Sequence, residues 1–285
     1  MPLNLDHLVI AVRDLSIAEE NYTRLLGRKP SWRGKHPTYG TANVLYRLDN
    51  SYMELLALGD GDSPWATALR NHLDRHGEGL YAIALGTDDI DATVAAARAN
   101  GLDVQDAAAG DGVDETTGAR REWRNARIGP ASTRGVRAFF IQHLSPPDAL
   151  PMSEPVATGG AIVTGVDHTV IISSDLAATL ALWTSAIGLE LRRTVDFSSA
   201  RRLHFLRLGH SILELAGPPQ AGESRERDLL WGVSYRVDNA AAQVERLRAA
   251  GLDVSDARTG RADATVVADL KPGFSHEVRT LFIEK

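Results

Sequence analysis

An internal repeat is the feature that most constrains how this chain can fold. The segment Leu5–Gly27 aligns without a gap on Val166–Gly188, and eight of the 23 aligned positions are identical, among them an Asp-His pair near the start and the closing glycine. A repeat of this length indicates two copies of one structural unit. Any fold proposed for the first half of the chain must therefore also suit the second half.

Three further blocks follow in the same order in both copies, so the duplication covers almost the whole chain. The offset between matching residues falls from 161 at the first block to 142 at the last, which means that the second copy has shorter loops. The three blocks are Ser51–Ala57 with Ser211–Gly217, Thr93–Ala107 with Gln243–Ala257, and Val136–Gln142 with Val278–Glu284.

The composition of the segment between the copies indicates a linker. His143–Gly160 contains four prolines and ends in two glycines, a composition that continues neither a helix nor a central strand. We therefore divide the chain into a first module over 1–144, a linker over 145–162 and a second module over 163–285. Because such segments make few backbone hydrogen bonds, we expect limited proteolysis between 143 and 160 to release two folded halves.

Each copy predicts the element order β-α-β-β-β, twice over. Leu5–Val12 alternates as a strand does, Ser16 begins a capping-box pattern, and the apolar stripe of the following helix carries Tyr22 in the first copy and Trp183 in the second. We predict an α+β fold in which tandem βαβββ units form two cupped mixed sheets with the helices on the convex faces.

Composition and charge narrow the class of protein. Hydrophobic residues make up 44% of the chain and charged residues 24%, as in an ordinary globular protein. The absence of cysteine excludes disulfides, thiolate nucleophiles and cysteine metal sites. A net charge of −6 argues against a nucleic-acid partner. With no apolar span or leader sequence, we expect a cytoplasmic protein that does not enter a membrane.

The repeated blocks resemble the vicinal oxygen chelate superfamily. The resemblance is carried by the openings LDHLVIAVRDL and VDHTVIISSDL, the strands MELL and LELA, and the closing strands FFIQ and LFIE. This superfamily includes glyoxalase I, extradiol dioxygenases, fosfomycin-resistance enzymes, epimerases and bleomycin-binding proteins, and the first copy is most similar to its glyoxalase-like domains. The resemblance covers the chain apart from the linker. It is specific for the fold, which hosts many chemistries.

The resemblance implies a divalent metal on the concave face of a cup, held by residues of the first, fourth, fifth and eighth strands. Neither copy matches all four positions, because both lack the histidine of the fifth strand. Imidazole and carboxylate ligands suit Fe, Mn, Zn, Ni or Mg, and the two carboxylates of the second copy make it the expected metal site. In strand order the positions are His7, Glu54, Ala82 and Gln142 in the first copy and His168, Glu214, Gly232 and Glu284 in the second.

Glu54 and Glu214 are the predicted catalytic residues. Each lies inside an apolar strand, where an unpaired carboxylate is costly to bury, so we place both in the cups. A carboxylate with a raised pKa could shuttle a proton while the metal stabilises an enediolate. An outward-facing charge or a structural ion pair is the alternative for each glutamate, and a structural role is the alternative for His7 and His168.

A ligand-binding surface is predicted on one strand of the first copy. Arg121, Trp123, Asn125 and Arg127 alternate, so they share one strand face and could clamp a planar anionic ligand. A solvated edge strand is the alternative interpretation. Gln142 is a candidate hydrogen-bond donor to the same ligand. Because the first copy has the longer loops, we expect the organic ligand in its cup.

His204 is a weaker candidate for the missing fifth-strand histidine. A two-residue turn after its strand would place Phe205, not His204, opposite Glu214. The other histidines fall in predicted turns, linkers or strand ends, where we expect them to be solvated: His36, His72, His76, His143, His210 and His276.

Two hypotheses for the function remain. The first is a metal-dependent lyase or isomerase that acts on a small molecule with vicinal oxygens, and the second is a metal-free binding or sequestration protein of the bleomycin-resistance type. The duplicated His and Glu positions favour the enzyme, which we rank first, whereas the missing histidines favour the binding protein. An extradiol dioxygenase ranks third because its iron needs two histidines and one carboxylate. The expected partners are a small-molecule ligand and a second copy in a homodimer.

Overall fold

Each copy of the repeat forms one eight-stranded mixed sheet. The computed structural model describes residues 2–36, 38–156, 161–219, 227–261, 264–271 and 273–285. The predicted α+β fold of tandem βαβββ units is confirmed. No helix among the described residues is both long enough and apolar enough to cross a membrane.

The first sheet closes into a barrel with the strand order β1-β4-β3-β2-β6-β7-β8-β5, in which β5 pairs back onto β1. Two residue pairs between β2 and β6 join its two halves. The elements are β1 (Asn4–Ala11), α1 (Leu15–Leu26), β2 (Trp32–His36), β3 (Thr41–Arg47), β4 (Tyr52–Leu58), α2 (Pro64–His76), β5 (Gly79–Gly86), α3 (Ile90–Ala99), β6 (Ala108–Asp114), β7 (Arg120–Ile128) and β8 (Ala138–His143).

The second sheet stays open, with the strand order β10-β11-β12-β9-β13-β16-β15-β14. Its edge strand β14 has two residues, against seven in β6, and it pairs with β15 but not with β10. The elements are β9 (Val163–Ile172), α4 (Leu176–Ala181), β10 (Glu190–Ser198), β11 (Arg201–Leu208), β12 (Ser211–Gly217), β13 (Leu229–Val237), α5 (Ala240–Ala249), β14 (Arg258–Thr259), β15 (Val266–Asp269) and β16 (Arg279–Glu284).

Strand alternation assigns one face of each sheet to the helices and the other to the cup. In β1, Leu8 and Ile10 are fully buried on the outer side, in the apolar cluster that contains Tyr22 of α1. Helix α1 begins at an Asp14 cap, whose side chain accepts two backbone N–H groups, rather than at the predicted Ser16 box. It ends at Gly27, where φ is +69°. His7 is left on the inner side, facing the cavity.

The two sheets share one apolar core, and side chains cross between them. The Asn50 side chain both donates to the carbonyl of Val166 (2.8 Å) and accepts from its N–H (3.0 Å). Arg28 donates to the carbonyls of Ser153 (2.6 Å) and Val163 (2.5 Å). Part of the predicted linker is packed as well, since Leu150 is buried in one cluster with Trp32, Leu45 and Tyr52 of the first barrel. Residues 157–160 of that linker lie outside the described residues.

These contacts change what proteolysis should do. A cut in the linker removes one covalent connection but leaves the shared apolar core intact. We therefore expect the two fragments to remain associated and to elute together on gel filtration at neutral pH. Separate elution of two folded fragments would instead support the independent halves predicted from the sequence.

A substitution of Trp183 tests whether the helices pack with their apolar faces against the sheets. It lies in the π-helical turn Leu182–Ala186 that extends α4, and its side chain is fully buried, like Tyr22 at the matching position of α1. Trp183→Ala should lower the free energy of unfolding by about 3–5 kcal/mol, because both transfer energy and packing are lost. Denaturant titration measures this loss. Ile17→Ala on the exposed face of α1, where Ile17 is 54% exposed, should change stability by less than about 1 kcal/mol.

Candidate functional site

A β-bulge at the start of each copy positions the Asp-His pair. The register of β1 against β5 shifts by one residue at Asp6, and the register of β9 against β13 shifts in the same way at Asp167. Each bulge lets the aspartate reach the ring of the histidine that follows it, although neighbours on a regular strand point to opposite faces. Asp6 Oδ1 lies 2.6 Å from His7 Nδ1, and Asp167 Oδ1 lies 2.8 Å from His168 Nδ1.

Each of these histidines meets the predicted glutamate of its own sheet. His7 Nε2 lies 3.3 Å from Glu54 Oε2, and Asn43 donates to the other carboxylate oxygen of Glu54 at 2.8 Å. In the second sheet, His168 Nε2 lies 3.6 Å from the Glu214 carboxylate and 2.7 Å from the Ser234 hydroxyl. The structure therefore brings the first-strand and fourth-strand residues together in both copies.

The two His–Glu pairs differ in how their surroundings shift the pKa values of their side chains. Burial opposes protonation of His7, but its hydrogen bonds to Asp6 and Glu54 outweigh burial and raise the pKa of His7. Burial alone would raise the pKa of Glu54, yet the contacts with His7 and Asn43 hold that pKa below its usual range. In the second sheet, burial outweighs the His168 charge and raises the pKa of Glu214. The shifts in the first pair therefore favour its charged forms, whereas the shift of Glu214 favours its protonated form.

Two further histidines belong to the first site, although the sequence placed them in solvent. His143 Nε2 lies 2.9 Å from Asp6 Oδ2, so Asp6 bridges two imidazoles. Burial raises the pKa of Asp6, but the hydrogen bonds with His143 and His7 outweigh it and leave that pKa well below its usual range. His36 is also buried and contacts the Thr41 hydroxyl at 3.0 Å. Both lie at strand ends, where the sequence alone carries no signal of burial.

Gln142 and Glu284 do not line the cups, so their expected placement is corrected. The Gln142 side chain accepts from the backbone N–H of Ile90 at 3.2 Å and donates to the carbonyl of Asp88 at 2.7 Å. Glu284 accepts from the backbone N–H of Ala240 at 2.8 Å. Both residues therefore cap the helix on the outer face of their sheet, α3 or α5. The metal set His168, Glu214 and Glu284 does not converge.

Apolar side chains occupy the positions where further metal ligands were expected. Ala82 pairs with Val9 beside His7, and the Phe139 ring meets the His7 ring edge-on at 5.5 Å between centroids. Among the described residues, no three His, Asp or Glu side chains are placed to hold one metal ion. The spacing of His7 and Glu54 suits two neighbouring ligands of a cation, but the part of the chain that the structure describes offers no third protein ligand there. The donor set does not fit a resident metal.

A cavity of about 430 Å³ fills the first barrel around the His7–Glu54 pair. Strand β7 lies between β6 and β8, so it is not a solvated edge strand. Its four alternating residues all line the cavity: Arg121, Trp123, Asn125 and Arg127. The Arg121 guanidinium is buried 5.4 Å from the ring centre of Tyr52 and 5.6 Å from that of Trp32. Most of the remaining wall is aromatic or aliphatic.

Helix α2 covers one end of this cavity, a role that the sequence did not predict. Ser63 caps the helix, with Pro64 at its first position, and both Trp65 and Leu69 reach into the cavity. No described helix joins β12 to β13 in the second sheet. As expected, His204 is directed elsewhere: its Nδ1 contacts Thr194 on β10 at 2.8 Å.

Comparison with known proteins agrees with this architecture. A family profile described as a glyoxalase-like domain matches residues 5–187, and one described as the glyoxalase/bleomycin resistance protein/dioxygenase superfamily matches residues 167–267. Human mitochondrial methylmalonyl-CoA epimerase is 36% identical over 90 residues, which cover 32% of this chain and 49% of that protein. The chain thus matches about half the length of that relative.

Solved structures share the fold over the whole chain. A mutant 4-hydroxymandelate synthase from Streptomyces coelicolor has a TM-score of 0.70 at 16% identity, covering 100% of this chain and 93% of the other. A Mn(II)-bound glyoxalase from Novosphingobium aromaticivorans has a TM-score of 0.63 at 15% identity, covering 99% and 81%. At these identities the likeness is one of fold.

The charge state of His7 should be visible in the pH dependence of stability. Because its pKa is raised on folding, the contribution of His7 is complete below its unfolded-state pKa of about 6.5 and is lost as the pH rises through the folded-state pKa. The partner carboxylates, with lowered pKa values, contribute above about pH 4 to 4.5 and lose their contribution as the pH falls. His7→Gln should therefore cost most between about pH 4.5 and 6.5, by about 3–5 kcal/mol.

Denaturant titration at several pH values measures this cost. The cost of His7→Gln should shrink steadily as the pH rises above the window. His210→Gln, at an exposed turn, serves as the control and should stay within about 0.5 kcal/mol throughout. A cost of His7→Gln that does not change with pH would show that the ion pair contributes nothing.

Proposed function

We propose, from the premise that this chain belongs to the glyoxalase-like domain family of the vicinal oxygen chelate superfamily, that its first barrel binds a small organic molecule without a resident metal. The ligand lies against the aromatic wall, with a polar group directed at the His7–Glu54 pair. This puts the binding or sequestration hypothesis ahead of the metal-dependent lyase or isomerase. The observation that carries it is the apolar lining, Ala82 and Phe139, beside that pair.

The lining of the barrel supports binding of an organic molecule. Ligand sites are typically concave and mostly apolar, with a few polar groups that fix the orientation of the ligand. The polar groups here include the His7–Glu54 pair, Asn43 and Arg121, and six aromatic side chains share the wall with them. The aromatic residues are Tyr39, Tyr52, Trp65, Tyr81, Trp123 and Phe139.

Arg121 favours a ligand that carries negative charge or electron-rich oxygens. Among the described residues, no carboxylate lies within salt-bridge distance of its guanidinium, which is held over Tyr52 and Trp32. A buried cation without a counter-ion is costly, so an anionic group in the cavity would be stabilised there. Arg121 is thus proposed as a ligand-binding residue together with Trp123 and Arg127.

A proton-transfer enzyme of the lyase or isomerase type is the second candidate. It is favoured by the His-Glu pair, which both copies keep in the same geometry, and by the similarity to an epimerase. In this alternative Glu54 accepts a proton from a carbon beside a carbonyl group, while His7 holds the carboxylate in place. A ring-cleaving dioxygenase remains third, because each cup contributes one histidine and one carboxylate to the pair.

A cavity-filling substitution tests ligand binding. Neutral 1-naphthol should bind the wild-type chain with measurable heat, and Ala82→Phe should weaken binding by roughly tenfold or more, which is about 1.4 kcal/mol. Ala92→Phe, on the exposed side of α3, adds the same ring outside the barrel and should leave binding unchanged. Circular dichroism checks that Ala82→Phe is folded. Failure of wild type to bind 1-naphthol, or equal loss in both variants, would contradict the proposal.

Metal content separates the two candidates for the function. Protein purified without chelator or a metal-affinity tag should contain well below one divalent metal ion per chain, and EDTA should leave 1-naphthol binding unchanged. A stoichiometric metal that His7→Ala removes would instead favour the metal-dependent enzyme in the first barrel. Loss of that metal in His168→Ala would place the enzyme site in the second sheet.

A further inference from the structure

Basic side chains gather at the end of the first barrel that α2 covers. Arg137 Nη1 donates to His72 Nδ1 at 3.2 Å, and the His72 ring lies 5.1 Å from that of His76, one turn further along α2. Arg227, which precedes β13 of the second sheet, reaches His76 Nε2 at 3.0 Å. Arg127 and Arg137 both line the cavity. We call Arg127, Arg137, Arg227, His72 and His76 the basic cluster.

Two guanidiniums of the basic cluster lie over aromatic rings of the cavity. Arg127 lies 3.5 Å from the ring centre of Trp65, and Arg137 lies 4.6 Å from that of Tyr81. Stacking fixes the plane of a guanidinium and leaves its N–H groups at the rim free to bind oxygens. Since Trp65 and Tyr81 also line the cavity, a ligand in the barrel would meet these N–H groups directly.

The described residues place no carboxylate beside the cluster. No Asp or Glu among them lies within salt-bridge distance of its three arginines, and three of the described acidic residues nearby in sequence have other partners. Those pairs are Asp74 with Arg13 (3.5 Å), Glu78 with His276 (2.7 Å) and Asp228 with Arg134 (3.2 Å). Burial and the neighbouring positive charges lower the pKa of His72 to about 4 and also lower that of His76. Both rings are thus neutral at pH 7, while the arginines remain charged and close together.

We propose that the basic cluster binds a phosphate group of the ligand whose apolar part occupies the barrel. This rests on the proposed function of the barrel. Three guanidiniums, from β7, the residue before β8 and the segment before β13, offer more N–H donors than one carboxylate can accept, whereas a phosphate has three terminal oxygens and up to two charges. Arg227 brings the second sheet into the site, so both copies contribute to one ligand.

A matched set of naphthalene probes distinguishes the contribution of the anionic group to the binding affinity from that of the apolar ring system. Calorimetry compares 1-naphthol, 1-naphthoate and 1-naphthyl phosphate, which share one ring system. Wild type should bind the phosphate at least about tenfold more tightly than the naphthol, and added salt should reduce this advantage. Arg137→Gln should remove most of the advantage while leaving 1-naphthol binding within about twofold, and Arg127→Gln should weaken binding of the phosphate more than binding of the naphthol. Arg227→Gln should weaken the phosphate probe alone.

Arg70→Gln is the charge-matched control. Arg70 lies on α2, pairs with Asp62 at 3.5 Å and does not touch the cluster, so its loss should leave all three affinities unchanged. Equal binding of phosphate and naphthol, or an Arg70→Gln effect as large as that of Arg137→Gln, would overturn the phosphate site and leave the barrel proposal standing. Tighter binding of 1-naphthoate than of the phosphate would overturn the choice of phosphate. If 1-naphthol itself fails to bind, the function proposed for the barrel is wrong.

Discussion

A charged imidazole inside an apolar barrel is stable only while carboxylates surround it, and the first site is built around this requirement. The Asp6 bulge supplies one carboxylate from the same strand, and Glu54 supplies the other from the neighbouring parallel strand. Each carboxylate is in turn held by a second partner, His143 for Asp6 and Asn43 for Glu54. Removing one member leaves an uncompensated charge, so these polar groups act as a unit.

The two copies use the same pair in different surroundings. In the first, barrel closure and α2 enclose the cavity, and the protonated His7 balances Glu54. In the second, the sheet stays open, His168 contacts Ser234, and Asp167 is engaged by Lys285 at 2.5 Å instead of by a second histidine. The contrast explains why the ligand site is proposed in the first barrel.

The fold was predictable from the sequence because the periodicity of strands and helices can be read from short segments, and the duplication from a comparison of the two halves. The inward placement of His7 and Glu54 followed from strand parity and from the implausibility of an isolated buried carboxylate. The predicted placement of Gln142 and Glu284 in the cups was wrong because it was taken from the alignment to the family. The alternation of side chains along β8 instead directs Phe139 and Ile141 inward. The basic cluster could not be found from sequence, because Arg137 and Arg227 meet α2 only through the packing of distant segments.

The caps made by Gln142 and Glu284 bear on the history of the chain. Two equivalent residues make the same contact with the first N–H of the helix that follows the fifth strand of their copies, and the Asp-His bulge and the glutamate are also shared. Features common to both copies are most simply inherited from a single ancestral unit that existed before the gene duplicated. Among the described residues, the closing strand pair β2–β6 and a helix between the fourth and fifth strands occur only in the first copy. The two descendants of that unit therefore now differ in form: one encloses a cavity, and the other brings Arg227 to the end of it.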